Sequence, residues 1–108
     1  MNQSTAERRR APRFSMRLPV MVNRCNGVDC AKSTFSRDVS SSGIYFYFDS
    51  AMDEGAAIEF TLSLPPDDVL HLPIRVNYVG KAIRVRQLTN SVFGVAAVME
   101  SYGFAGEA

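Results

Sequence analysis

The sequence predicts an all-β fold in which six antiparallel strands close into a barrel. Apolar side chains alternate with polar ones along most of the chain, turn residues separate the alternating runs, and no run has the spacing of an amphipathic helix. The 108 residues suffice for one domain with one modest core. An open sheet of six short strands would leave two unpaired edges, whereas closure into a barrel removes the edges and encloses the core.

A basic segment without periodicity precedes the first predicted strand, and we interpret residues 1–13 as a flexible arm. The first strand has apolar side chains at alternate positions, namely Leu18, Val20 and Val22. Pro19 lacks a backbone N–H, so it belongs near the start of this strand or at a sheet edge. Asn26-Gly27 is a strong signal for a two-residue hairpin turn, and a second strand is expected over about 30–38.

The third and fourth strands follow the turn "DVSSSG". The run "GIYFYFD" is rich in β-branched and aromatic residues, which favour strands. Its inward positions are Ile44, Phe46 and Phe48. The run "AIEFTLSLP" alternates regularly, which predicts a half-buried strand. Its inward positions are Ile58, Phe60, Leu62 and Leu64.

The fifth predicted strand is long, and its apolar pattern changes parity. The apolar positions are even at first and odd afterwards: Leu70, Leu72, Ile74, Val76 and Tyr78, then Ile83 and Val85. An extra residue near Gly80 would produce this change, so we predict a β-bulge there. The run "VFGVAAVM" is the sixth strand, in which Gly94 indicates close packing or a bend. The barrel is thus predicted over residues 14–100, followed by a short tail, 101–108, in which a C-terminal helix is short or absent.

The charge is unevenly distributed along the chain. Residues 1–20 hold five arginines against one acid, a net charge of +4, while the remainder holds seven basic and ten acidic residues, a net charge of −3. A protein that coats DNA is expected to spread its positive charge over a face. Charge concentrated at one place fits a compact anionic ligand better.

The residue types that enzymes need are poorly represented, and we predict that the protein is not an enzyme. His71 is the only histidine and falls on the outward parity of its strand. The acidic pairs Asp53-Glu54 and Asp67-Asp68 lie in predicted turns, where Asp is common for backbone reasons. Cys25 and Cys30 could be a metal or redox pair or two reduced thiols beside a hairpin; their spacing and the lack of a second ligand pair favour thiols and no metal.

No apolar run has the length of a membrane span, and the N-terminal residues lack the apolar segment of a signal peptide. We therefore expect a cytoplasmic protein without membrane insertion. The aromatic run Tyr45–Phe48 is interpreted as core and barrel wall, with a stacking platform for nucleotide bases as the alternative.

Two polar motifs remain. Arg9 and Arg13 stand four residues apart, and guanidinium groups both bind phosphate oxygens bidentately and stack on flat bases. In "DVSSSG", Asp38 can accept hydrogen bonds from base N–H groups, Ser40 can donate and accept, and Gly43 lets a backbone approach closely. An ordinary Asp/Ser/Gly turn is the alternative interpretation of this segment.

The order Arg9-x-x-x-Arg13, hairpin, Asp38-x-Ser40-x-x-Gly43 resembles the PilZ domain, the bacterial receptor module for the second messenger cyclic di-GMP, and the resemblance covers nearly the whole chain. It implies a six-stranded barrel in which Arg9 and Arg13 clamp the phosphates and stack on guanine. Asp38, Ser40 and Gly43 would line the base pocket. The auxiliary contacts would be Arg8, Arg10, Arg84 and Arg86. The chain departs from the many members that end in a helix packed across the barrel.

The resemblance implies a receptor or adaptor that orders its arm when cyclic di-GMP binds and then signals to an effector protein, without a cofactor. One alternative is a PilZ-like barrel that binds proteins but no nucleotide. A nonspecific nucleic-acid-binding protein is a second, which the acidic body and the lack of an interleaved aromatic and basic stripe in the sequence disfavour. The sequence leaves open the partner and whether one or two dinucleotides bind.

Overall fold

A computed structural model describes residues 14–66 and 74–104, and these form seven strands and no helix. The strands are β1 (Phe14–Ser15), β2 (Pro19–Cys25), β3 (Val28–Val39), β4 (Gly43–Phe48), β5 (Ala57–Leu64), β6 (Ile74–Gln87) and β7 (Phe93–Phe104). No helix that could cross a membrane occurs in this part of the chain. The predicted arm, residues 1–13, and the fifth-strand positions Leu70, His71 and Leu72 lie outside the described residues.

Strands β2 to β7 form a closed antiparallel barrel, as the sequence predicts. The order around it is β3-β2-β5-β6-β7-β4, and pairing between β3 and β4 closes the ring. The two-residue β1 was not predicted. It is added to β3 outside the ring, with Phe14 opposite Val39 and Ser15 opposite Asp38.

The core lies inside the barrel and consists of the alternate positions that the sequence predicts. The largest fully buried apolar side chains are Phe46, Phe60, Ile58, Leu62, Val22 and Val95. The rings of Phe46 and Phe60 contact each other with their centroids 6.1 Å apart. Each buried aromatic or branched side chain contributes about 1.5–3 kcal/mol relative to an exposed one. These core side chains are therefore the main source of stability.

The predicted bulge near Gly80 is present as a register shift between Val79 and Gly80, but its extra residue is Glu100 on β7. A further bulge, with Ile83 as the extra residue on β6, changes the parity of the apolar side chains. Ala82 pairs with Ala97 and Arg84 with Ala96, so Ile83 has no partner on β7. Ile83 is therefore 54% exposed instead of lying in the core, which corrects the predicted inward position. Gly80 has another role: a Cβ there would lie 1.9 Å from the Val98 carbonyl oxygen, so the residue permits close approach of β6 and β7.

Strand β7 continues to Phe104, through the first four residues of the segment predicted as a tail. Beyond the last pair with β4, Gly43 opposite Val98, β7 still pairs with β6 as far as Val76 opposite Phe104. Tyr102 packs on Tyr78 with ring centroids 6.1 Å apart. The composition of the segment did not indicate a strand because its pairing depends on the length of β6.

Candidate functional site

The turn "DVSSSG" connects β3 to β4 and is held together by Ser40. The Ser40 hydroxyl accepts hydrogen bonds from the N–H of Gly43 at 3.0 Å and of Ser42 at 3.3 Å. The Ser40 N–H donates to the Gly43 carbonyl at 2.8 Å. A Cβ on Gly43 would lie 3.1 Å from the Ala97 carbonyl oxygen, so a larger residue would press on β7. Ser40 and Gly43 therefore fix the shape of the turn that follows Asp38.

Asp38 lies next to a bulge of β3, whose extra residue is Arg37. Ser36 pairs with Phe46 and Asp38 with Tyr45, which leaves Arg37 unpaired on β3. The Arg37 Nε–H donates to Asp38 Oδ2 at 2.8 Å, and its guanidinium carbon lies 3.8 Å from the centre of the Tyr45 ring. The hydrogen bond to Asp38 raises the pKa of Arg37 above its ordinary value. The Asp38 side chain is 13% exposed, whereas that of Arg37 is 51% exposed.

A concave site of about 360 Å³, which we call the arginine cleft, begins at Arg37 and crosses β3, β4, β7 and β6. Its lining residues are Arg37, Tyr45, Ile83, Arg84, Arg86, Gly94 and Ala96. Gly94 leaves room for the Tyr45 ring at the floor of the cleft, because a Cβ on Gly94 would lie 1.8 Å from the Tyr45 hydroxyl oxygen. The tyrosine ring thus covers Gly94 and forms a flat wall.

The fold brings two sequence-predicted auxiliary residues, Arg84 and Arg86, into the same cleft as Arg37. The bulge at Ile83 exposes both Ile83 and Arg84. Arg37 was not predicted as a site residue, and Tyr45 was predicted as one only in the alternative interpretation of Tyr45–Phe48 as a stacking platform. Arg37 has no sequence signal of its own, because only the bulge places it between Asp38 and Tyr45.

The chain enters the barrel beside Asp38. Ser15 pairs with Asp38, and the segment that follows is tied to the fully buried Ser36. The Ser36 hydroxyl donates to the Met16 carbonyl at 2.5 Å and accepts from the Leu18 N–H at 2.9 Å. The other predicted ligand residues, Arg8, Arg9, Arg10 and Arg13, precede this point and lie outside the described residues.

Aromatic and basic side chains alternate across the outer face of β3 and β4. The Arg17 guanidinium lies 4.1 Å from the centre of the Phe35 ring, and Arg37 stacks in the same way on Tyr45. Tyr45 meets Tyr47 edge to face, with centroids 6.1 Å apart. The expectation that the protein lacks an interleaved aromatic and basic stripe is therefore wrong. Antiparallel pairing assembles the stripe from residues that are distant in sequence.

A larger groove of about 590 Å³ lies on the outer face of β2, β3 and β5, and Met21 and Phe35 contribute to its lining. Arg75 is the one charged side chain among its described lining residues. The groove lacks the several cationic donors that an anionic ligand requires. We therefore locate the candidate site at the arginine cleft and the adjoining turn, although the cleft is smaller.

The two cysteines lie away from this cleft, and both are free thiols. The Cys30 thiol donates to the Val22 carbonyl, with sulfur and oxygen 3.2 Å apart. Burial, followed by the neighbouring Cys30 and Asp53, raises the pKa of the Cys25 thiol. A raised pKa lowers the fraction of nucleophilic thiolate. Within the described residues, no group of three metal-ligating side chains comes together.

The family-model match and the similarity to a solved structure both agree with the observed barrel. The family model described as "PilZ domain" matches residues 7–95. A comparison with curated proteins finds no match. Among solved structures, the chain is similar to the Bacillus subtilis inhibitor of motility MotI/DgrA, with a TM-score of 0.73 and 13% identity. The similarity covers 88% of this chain and 44% of that one, so this chain corresponds to less than half of its length. At this identity the likeness concerns the fold.

Proposed function

The chain belongs to the PilZ domain family, and from this premise we propose that it is a receptor for cyclic di-GMP that transmits the signal to an effector protein. PilZ domains are typically receptor and adaptor modules rather than enzymes. On this proposal the protein acts in the cytoplasm of a bacterium. Arg9, Arg13, Asp38, Ser40 and Gly43 are the proposed ligand residues.

The observation that carries the proposal is the register of β1. Ser15 pairs with Asp38 and Phe14 with Val39, so the chain that bears the two arginines joins the barrel at the polar turn. Arg13 immediately precedes Phe14 in the sequence. The Cα of Arg13 is therefore one peptide unit, roughly 3.8 Å, from that of Phe14, which pairs with Val39 of the turn motif.

The chemistry of the site fits a guanine dinucleotide. The Asp38 carboxylate can accept from the N1–H and N2–H groups of guanine, because an ionised carboxylate accepts two parallel hydrogen bonds. Two arginines of the cleft, Arg84 and Arg86, provide the planar donors that phosphates prefer. Tyr45 provides a flat apolar surface for a purine. The turn residues Ser40 and Gly43 act by fixing the position of Asp38, since the Ser40 hydroxyl is already bonded within the turn.

Binding would order the arm against the barrel. Fixing a residue costs about 1–2 kcal/mol of backbone entropy, so the arm would be held only while charge-assisted contacts to the ligand offset that cost. Arg9 and Arg13 would supply these contacts, with Arg8 and Arg10 in auxiliary roles. The surface formed by the ordered arm and the barrel is then what an effector protein would recognise.

Isothermal titration calorimetry with cyclic di-GMP tests the proposal. We expect the wild-type protein to bind, and Arg9→Ala, Arg13→Ala and Asp38→Ala to weaken binding by about tenfold or more, because each removes a charge-assisted hydrogen bond worth roughly 1.5–3 kcal/mol. Arg24→Ala is the matched control, since Arg24 is an exposed arginine on β2 that contacts Asp29 on β3 and Glu59 on β5, away from the cleft. Unchanged binding in all three site variants would refute the assignment.

The aromatic and basic stripe supports one alternative, a site for single-stranded nucleic acid. Bases stack on aromatic side chains without regard to sequence, and backbone contacts make such binding strongly salt-dependent. A generic oligonucleotide that bound more tightly than cyclic di-GMP, with affinity falling steeply as salt rises, would favour this function. A barrel that binds proteins without nucleotide is the other alternative, and it predicts no heat with the dinucleotide in any variant.

A further inference from the structure

Arg37 contacts Asp38 and Tyr45, the two residues that would bind a guanine base under the proposed function. Its Nε–H donates to Asp38 Oδ2 at 2.8 Å, and the plane of its guanidinium lies over the Tyr45 ring at 3.8 Å. One contact is made by the edge of the guanidinium and the other by its face. The arginine lines the arginine cleft on one side and a shallower depression with Arg17 and Tyr47 on the other.

Guanine contains the same chemical unit. Its N1–H, C2 and exocyclic N2–H₂ form a guanidine group embedded in a flat ring, which presents parallel N–H donors along one edge. The guanidinium of arginine offers a similar planar set of donors and also stacks on aromatic faces. A carboxylate beside an aromatic ring cannot distinguish the two by shape alone. The side chain and the base are therefore alternatives for the same carboxylate edge.

We propose that Arg37 is an internal competitor of the ligand: in the free protein its guanidinium occupies the guanine-binding edge of Asp38, and it leaves that edge when a guanine dinucleotide binds. The inference rests on the proposed function and adds its regulation. It makes Arg37 a positioning residue that keeps the Asp38 carboxylate oriented until the base arrives.

The position of Arg37 suits such an exchange. Arg37 is the extra residue of a bulge, which directs its side chain to the outer face beside Asp38 and Tyr45. Half of the side chain is exposed, whereas Asp38 is 13% exposed and keeps its place. Arg84 and Arg86 line the same cleft, so cations that can bind the ligand's phosphates remain there when Arg37 moves away.

The competition must be weak for the ligand to succeed. The ion pair is half-exposed on the Arg37 side and the cation–π contact is partly exposed, so each contributes little. Removal of Arg37 should therefore tighten binding by about three- to tenfold. This sign is diagnostic, because the loss of a positive charge should otherwise weaken the binding of a dianionic ligand.

Calorimetric titration of the full chain with cyclic di-GMP tests the inference on the wild type, Arg37→Ala and the control Arg24→Ala. We expect Arg37→Ala to bind more tightly and Arg24→Ala to bind as the wild type does. Weaker or unchanged binding in Arg37→Ala, with binding by the wild type, would overturn the competition and leave the proposed function intact. Absence of binding in every variant would refute the proposed function and this inference together.

A second measurement needs no variant. In ¹⁵N spectra of the wild type, the Arg37 Nε–H proton should exchange slowly with water in the free protein and faster in the complex, because its acceptor is lost. An exchange rate that the dinucleotide leaves unchanged or makes slower would contradict the displacement of Arg37. The Arg24 Nε–H signal serves as the internal reference in both states.

Discussion

Gly80→Ala and Gly94→Ala each add a methyl group that would overlap a neighbouring oxygen atom to nearly the same extent. We nevertheless expect the two variants to lose different amounts of stability. The Cβ at Gly80 would lie 1.9 Å from the backbone oxygen of Val98, and the Cβ at Gly94 would lie 1.8 Å from the hydroxyl oxygen of Tyr45. A carbon and an oxygen normally approach to about 3.3 Å, so each obstacle must move by about 1.4–1.5 Å. The cost depends on whether the obstacle can rotate.

The obstacle at Gly80 is the backbone of the paired strand. Moving it strains the β6–β7 ladder at about 3 kcal/mol, the upper part of the overpacking range, and breaks at least one hydrogen bond worth about 1 kcal/mol. We therefore expect Gly80→Ala to lower the free energy of unfolding by about 4 kcal/mol. The obstacle at Gly94 is a half-exposed ring that can rotate away for about 1 kcal/mol and loses its exposed contact with Arg37 for about 0.5 kcal/mol. Gly94→Ala should cost about 1.5 kcal/mol.

Urea denaturation of both variants checks this ratio, with Gly103→Ala as the matched control. Gly103 also lies on β7, but no heavy atom lies within 4 Å of its added Cβ, so this variant should unfold within about 0.5 kcal/mol of the wild type. Equal losses at Gly80 and Gly94 would refute the reasoning, as would a loss at Gly80 under about 1.5 kcal/mol. Gly94→Ala should also alter the arginine cleft, because Tyr45 no longer covers its floor.

Two further predictions concern stability. Ser36→Ala should lower the free energy of unfolding by about 2 kcal/mol, because the buried Leu18 N–H and the Met16 carbonyl lose their shared partner. Urea denaturation measures this loss. Amide hydrogen exchange that stays slow at Leu18 in the variant would contradict the prediction. Burial, followed by Tyr102, raises the pKa of Tyr78, so its contribution is complete below the ordinary tyrosine value of about 10 and is lost as the pH rises through the higher folded-state pKa. As the pH rises from 8 through and beyond about 10, the wild type should therefore lose more stability than Tyr78→Phe, and equal losses would argue against this coupling.

The sequence was sufficient to predict the barrel because the information is local. Alternating apolar residues, the Asn26-Gly27 turn and the even-to-odd change along the long strand all depend on neighbours within a few positions. The same locality explains what was missed. Whether the parity changes at Gly80 or at Ile83 depends on the pairing of β6 with β7, and so does the continuation of β7 to Phe104.

The candidate site was predicted in part for a similar reason. Asp38, Ser40 and Gly43 belong to one short motif, so the sequence identified them together. Arg37 and Tyr45 face each other only because a bulge on β3 changes the register with β4. The pairing of Ser15 with Asp38, which brings the start of the barrel to the turn, is likewise a long-range contact.

On the proposed function, the two halves of the motif bind one ligand at the point where β1 meets Asp38. A ¹H–¹⁵N titration with cyclic di-GMP measures this directly. We expect the amides of Arg9 and Arg13 to shift together with those of Asp38 and Gly43, with one common saturation curve. Absence of shifts in these residues at millimolar ligand, or shifts confined to the groove around Met21 and Phe35, would contradict it.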